Sequence, residues 1–280
     1  MPEIALPAEP LIRLGAFLGV FALMAAWEWR APRRPQAIGR ARRWPGNLGI
    51  VLLDTLLLRI LFPTAAVGLA LLAEARGWGL LPLLGAPAWL AIPLSVLLLD
   101  LAIYAQHVAF HAVPILWRLH RMHHADLELD VTSGLRFHPL EIILSMLIKL
   151  AVVLALGVPA LAVLAFEVLL NASAMFSHGN VRLPLGLDRA LRRVIVTPDM
   201  HRIHHSIRRE ETDSNYGFNL AWWDRLFGTY RAQPRAGQLG LTIGIGQFRD
   251  PAELQLDRML LQPFRPAAPA SSLARPEDGA

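Results

Sequence analysis

All ten histidines of this 280-residue chain fall between His107 and His205. Eight stand in three groups: HVAFH (His107, His111), HRMHH (His120, His123, His124) and HRIHH (His201, His204, His205), with His138 and His178 standing singly. Imidazole is the commonest protein ligand for transition metals. On a helix, positions i and i+4 lie about 40° apart, and an i, i+3, i+4 set fans over roughly 100° of one face. Each group can therefore aim two or three ring nitrogens at one place. Together they supply more nitrogens than the four ligands zinc usually takes, a count that suits a pair of metal ions. Burying eight imidazoles without a common partner would be costly; His138 and His178, taken singly, read equally well as packed residues. Several carboxylates stand near the groups: Asp100, Asp126, Asp130, Asp199, Glu210 and Asp213. Asp100, Asp126, Asp199 and Asp213 are candidates to orient imidazoles through the second ring nitrogen.

The elements that must carry these residues are apolar. Hydrophobic residues make up 54% of the chain and charged residues 18%, against about 25% charged in soluble domains, so a membrane-embedded unit is expected. The absence of cysteine excludes disulfides, cysteine-ligated iron–sulfur clusters and a thiolate-ligated haem. The net charge of +5 comes from arginines beside apolar segments, which fits membrane topology better than nucleic acid.

Apolar runs over 11–29, 49–72 (kinked at Pro63) and 86–104 are long enough to cross a bilayer. The arginine-rich stretch 28–44 reads as a solvated cytoplasmic loop, with the N-terminus outside. Three crossings then bring His107 to the cytoplasmic face. Asp100, at membrane depth, is a partner for His107 or snorkels to the interface. Pro114 ends the third helix and opens the next, over 115–124. Residues 125–137 read as a polar connection, and His138, before Pro139, is expected to reach the site from a turn. Residues 140–177 form a transmembrane hairpin broken at Gly157-Val158-Pro159, with Glu167 its deepest charge. The basic stretch 178–196 is amphipathic and could lie in the membrane interface or pack on the site. Thr197 and Pro198 cap the helix bearing HRIHH. The aromatic run 222–230 reads as a packing plug, and the tail from Pro263 as disordered. Three regions follow: N-terminal transmembrane helices (1–105), a histidine-rich catalytic region (106–232) and a C-terminal extension (233–280).

Nitrogen ligands in a hydrocarbon setting favour redox-active iron over hard cations. Two irons can activate dioxygen, and a lipid would reach them sideways through the bilayer. The segments HVAFH, LWRLHRMHH, LRFHPLE, FSHGN, TPDMHRIHH, NYGFNL and WWDRLFGTY, in that order, resemble the fatty acid hydroxylase/sterol desaturase superfamily of integral membrane di-iron oxygenases. The resemblance covers about residues 90–232. It implies an all-α fold, an integral membrane helical bundle with a cytosolic helical cap carrying a histidine-rich di-metal site. It also implies two iron ions, O2 as co-substrate, and ligands at His107, His111, His120, His123, His124, His178, His201, His204 and His205. Some members carry a further histidine four residues before the one matching His178; here that position is Ala174, so the site is one ligand short, or a water takes the place, or His138 does, and of these His138 is the expected one. The implied partners are a membrane lipid and a separate electron-donor protein of reductase, ferredoxin or cytochrome type, in a multi-pass protein of the bacterial inner membrane. Two other classes stand beside this one. A membrane b-type cytochrome would need only one histidine per haem face. A zinc-dependent membrane hydrolase would need an activated water and a general base, and no H-E-x-x-H occurs.

Overall fold

The structure, a computed structural model, describes residues 8–266. Eight helices build the bundle: α1 (Glu9–Arg30), α2 (Arg40–Leu61), α3 (Ala65–Arg76), α4 (Leu80–Leu83), α5 (Ala88–Ala112), α6 (Pro114–His124), α7 (Pro139–Leu156) and α8 (Ala160–Ser177). Shorter helices follow: α9 (Leu185–Leu191), α10 (Pro198–His204), α11 (Arg209–Thr212), α12 (Trp222–Leu226), α13 (Gly237–Gly240) and α14 (Leu256–Leu261). Among the described residues there is no strand, only isolated β-bridges. Five stretches are long and apolar enough to cross a membrane: α1, the interrupted stretch Arg40–Leu83, α5, α7 and α8.

Proline and glycine set the breaks. The run expected as one kinked helix over 49–72 is two helices, with Pro63 in the gap between α2 and α3. Pro114 cannot extend α5 but suits a first helical position, so α5 ends at Ala112 and α6 opens on it. Gly157 joins α7 to α8 at φ +67°, a conformation that favours glycine. A side chain there would strike the Trp78 carbonyl. This contact sets the hairpin tip against the turn after α3. Both turns therefore lie at one end of the bundle, while α5, α7 and α8 carry His107, His138 and His178 at the other. Val153, Val163 and Phe166 are wholly buried in the apolar core of α3, α5, α7 and α8. Met24 and Met175 join α1 to α8. Glu167 is paired twice within the bundle: Lys149 Nζ lies 2.6 Å from Oε1 and Arg13 Nη1 2.7 Å from Oε2. Internal neutralisation is how a carboxylate is tolerated at that depth.

The polar connection lies inside the fold: residues 125–136 are buried throughout. The arginine-rich stretch, expected as a solvated loop, is not one. Arg43, on α2 and 0% exposed, donates to both carboxylate oxygens of Asp126 (2.9 and 2.8 Å), to Asp130 (2.5 Å) and to the Glu128 carbonyl (3.0 Å). Arg33 binds Asp199 at 2.9 Å and Arg34 donates to the Leu241 carbonyl at 2.7 Å. The reason is electrostatic: carboxylates withdrawn from water need cations, and this stretch supplies them. Burial alone would raise the Asp126 carboxyl; the Arg43 guanidinium overrides it and holds the group well below the usual range. The C-terminal extension packs back on the bundle, α14 against α2 and the 3-10 turn Gln262–Phe264 against α6. The tail expected to lack structure from Pro263 is thus placed as far as residue 266; residues 267–280 lie outside the described residues.

Arg43→Met would leave Asp126 and Asp130 buried without their partner, a change that costs roughly 3–5 kcal/mol in comparable sites. The purified variant should melt at a clearly lower temperature than the parent. Coincident melting curves would contradict this account of the loop.

Candidate metal centre

Nine of the ten histidines converge in two groups. His107, His111, His120, His124 and His204 form one, and His123, His178, His201 and His205 the other. Within each group one nitrogen per ring lies within 4.8 Å of all the others. The three sequence groups do not map singly onto the two spatial ones. α5 sends both its histidines to the first. α6 sends the i, i+4 pair His120 and His124 to the first and His123, on an adjacent face, to the second. α10 does the reverse: His201 and His205 go to the second group and His204 to the first. α6 and α10 therefore each serve both groups, while α5 serves one.

The rings are held from behind. The Nδ1 of His107 donates to the Tyr216 carbonyl (2.8 Å), that of His123 to Arg136 (3.0 Å), that of His178 to Ala174 (2.8 Å) and that of His204 to Ser214 (2.7 Å). A carbonyl can only accept, so these four Nδ1 atoms carry the proton and each Nε2 presents a lone pair. The Nε2 of His123 nonetheless faces that of His178 at 3.2 Å, and His178 faces His201 at 3.1 Å. Two lone pairs cannot hydrogen-bond each other. The Nε2 atoms of His107, His120 and His204, and both nitrogens of His111, His124 and His205, are buried with no hydrogen-bond partner. Inward-facing, unprotonated nitrogens at this spacing fit cations of the kind imidazole binds. Burial first, and neighbouring imidazoles next, hold His123, His124, His201, His204 and His205 well below the ordinary histidine value. Burial brings His178 down to about 4.

His138 does not join either group. It caps α7, its Nδ1 accepting from the Leu140 amide (3.2 Å), and its Nε2 donates to the Leu260 carbonyl (3.3 Å). The smaller group is the one containing His178, one turn after Ala174, and no histidine fills that place. Gly134 lies so close that a Cβ there would strike the Ala174 carbonyl.

Of the carboxylates expected behind imidazoles, only Asp213 comes within 4 Å of a ring nitrogen, 3.4 Å from His111 Nδ1. Asp126 and Asp199 are taken by arginines. Asp100 accepts from the Trp223 indole (2.8 Å) and from the Asn219 and Leu220 amides (3.3 and 3.2 Å). The residue that sequence reasoning missed is Glu141, whose Oε1 accepts a hydrogen bond from His120 Nδ1 at 2.7 Å. Its signal was a carboxylate in the first turn of an apolar helix, beside His138. The loop supplying the Ser214 and Tyr216 carbonyls is fixed by Asn215, at φ +52°, whose amide donates to the Met200 and Arg231 carbonyls. Asp224 accepts from the Tyr216 and Gly217 amides (2.7 and 2.8 Å).

A cavity of about 560 Å³ runs from His107 and His120 along α1, α2, α7 and α8 to Lys149 and Glu167. Phe110, Phe137, Ile142 and Met146 are among the side chains that line it.

The description "Fatty acid hydroxylase" belongs to the family whose sequence pattern matches residues 92–229. Ornithine lipid hydroxylase OlsE of Rhizobium tropici is 29% identical over 157 residues, covering 56% of this chain and 46% of that protein. Alkylglycerol monooxygenase of Homo sapiens is 32% identical over 161 residues, 57% of this chain and 35% of that one. The putative Delta(7)-sterol-C5(6)-desaturase 2 of Arabidopsis thaliana is 30% identical over 149 residues, 50% and 48% of the two chains. The chain thus spans less than half the length of each of these relatives. No solved structure matches it. The matched segment holds every histidine of both spatial groups, and over residues 92–229 this chain belongs to the fatty acid hydroxylase family.

Proposed function

We propose that this chain is a membrane-bound di-iron oxygenase that uses O2 and electrons to hydroxylate or desaturate a lipid. The observation that carries the reading is the cavity: one end is walled by His107 and His120 of the five-imidazole group, and much of the rest by apolar side chains of helices long enough to cross a bilayer. A long apolar chain fits such a space. The relatives' names, an ornithine lipid hydroxylase, an alkylglycerol monooxygenase and a sterol desaturase, support a lipid substrate. The nine imidazoles would hold the metals, five on one and four on the other. All-nitrogen, neutral donors favour iron over calcium or magnesium. Two irons held there would supply dioxygen activation and the oxidising power to break a C–H bond.

The protein's own residues do the positioning. The carbonyls of Arg136, Ala174, Ser214 and Tyr216 fix four tautomers, and Glu141 fixes a fifth at His120, which makes each ring a better donor. Phe110 and Phe137 close the cavity beside the histidines, hold the chain and keep water from the reacting carbon. The arginine-rich stretch sets the histidine end toward the cytoplasm of a bacterial inner membrane, where a separate electron-donor protein would dock.

Iron analysis of the purified chain should find two irons, with product formation lost without oxygen. Zinc alone, with anaerobic turnover, would favour a hydrolase instead, and a Soret band a cytochrome. His123→Ala and His204→Ala should each abolish the hydroxyl or double bond that lipid profiling finds in expressing cells and not in null cells, while the protein still inserts. Retained product in either variant would refute the assignment. Glu141→Gln should lower metal affinity or turnover by roughly 10–100-fold, the range for partners of metal-bound histidine; parental values would show that the His120 contact is incidental. A reporter fused after residue 232 should read cytoplasmic, and a periplasmic signal would overturn the orientation.

A further inference from the structure

Beside the histidines lies an apolar face that no other described residue covers. Leu185 and Leu187 of α9, Val194 beyond it, and Trp222, Leu226 and Phe227 in and after α12 are all between 46% and 69% exposed. They form one surface because their backbones are tied together. The Ala221 amide donates to the Val194 carbonyl and Val196 to Asn219, around an antiparallel bridge between Ile195 and Leu220. The Trp222 indole donates to the Arg193 carbonyl at 3.1 Å, and Arg225 to Arg192 at 2.9 Å.

The height of this surface is fixed by α5. Asp100 takes the Trp223 indole and the Asn219 and Leu220 amides, and Phe227 stacks on Tyr104 with ring centres 5.4 Å apart. Asp100 and Tyr104 precede His107 by seven and three residues. At 1.5 Å per residue the α12 segment is anchored about 5–10 Å below His107, toward the middle of the bundle. Interfacial helices bury their apolar face to about that depth. Tryptophan and phenylalanine face outward there, and Arg189 and Arg193 are exposed nearby, where guanidinium groups would meet phosphates.

We propose that α9, the 192–195 turn and α12 form a foot seated in the headgroup–acyl boundary of the phospholipid bilayer that the long helices cross. This rests on the membrane reading above and adds a contact that no spanning helix makes. The foot also adjoins the metal centre. Phe218, beside its Asn219 tie, lines the cavity, and the Tyr216 carbonyl two residues earlier holds His107. Seating the foot would hold that part of the cavity wall in register with the bilayer.

The chain has no cysteine, so single nitroxide labels report unambiguously. Leu187→Cys, Leu226→Cys, Leu23→Cys on α1 and Arg209→Cys on the polar surface would each be labelled in the full-length protein. They would then be reconstituted in phosphatidylcholine–phosphatidylglycerol vesicles. Relaxation by oxygen, relative to a water-soluble nickel chelate, should be several-fold higher at 187 and 226 than at 209, approaching the value at 23. Values at 187 and 226 equal to that at 209 overturn the foot. The Leu23 label separates the two readings: if it stays lipid-exposed, only the foot falls, and if it too reads aqueous, the membrane reading falls with it.

Discussion

Nine imidazoles share one buried volume, and the five whose Nδ1 is tied from behind turn an Nε2 lone pair inward. That arrangement is the constraint on which the rest of the structure depends. Rings packed this way cannot satisfy one another, as the facing Nε2 atoms of His123 and His178 show. The outward nitrogens of five rings are tied to carbonyls or to Glu141, so rotating a ring to escape would break a buried hydrogen bond. The protein therefore holds its donors in a state that is unfavourable alone and favourable around cations. This couples metal loading to the stability of the cap, because ligands pre-set in the folded chain are scattered in the unfolded one.

Much of this was legible in the sequence because it rests on local rules. The i, i+4 spacing of His107/His111, His120/His124 and His201/His205 carried through to shared groups. Pro114, the Gly157 turn and the Thr197 cap ended or began helices where proline, glycine and threonine do so for steric and hydrogen-bonding reasons. What escaped was long-range pairing. A run of arginines looks the same whether it is solvated or, like Arg43, packed against carboxylates more than eighty residues away. Backbone carbonyls that hold imidazoles leave no mark in the residue types. Asp126 and Asp199 looked like partners for nearby histidines, but arginines held them instead, since a guanidinium satisfies a buried carboxylate more fully than a neutral ring does. His138 stood in the right stretch and turned away, because the residue before Pro139 is extended and its ring caps α7 instead.

Two carboxylates inside the apolar helices, Glu167 and Asp100, show two solutions to one problem. Glu167 is neutralised inside the bundle by Lys149 and Arg13, each from a different helix, so it ties α1, α7 and α8 together. Asp100 has no cation within the described hydrogen bonds; its oxygens take an indole and two amides from one loop. It anchors that loop to a membrane-crossing helix, and the same loop delivers the carbonyls behind His107 and His204.

The ligand-bearing helices in the cap are short, eleven residues for α6 and seven for α10. Helices of that length are marginal in isolation, so their positions come from tertiary ties. α10 is held by Asp199, which binds Arg33 from the stretch between α1 and α2 and Arg202 on its own helix. α6 is held by Arg136, donating to the Met122 carbonyl at 2.9 Å, and by its own Arg118 and Arg121, donating to the carbonyls of Pro263 and Gln262 in the C-terminal turn. The ties through Arg33, Arg118 and Arg121 reach segments far away in sequence. The spacing of the donors is thus a property of the whole bundle and not of the motifs. The motifs choose which face each imidazole occupies, and the arginines and carboxylates decide where those faces meet.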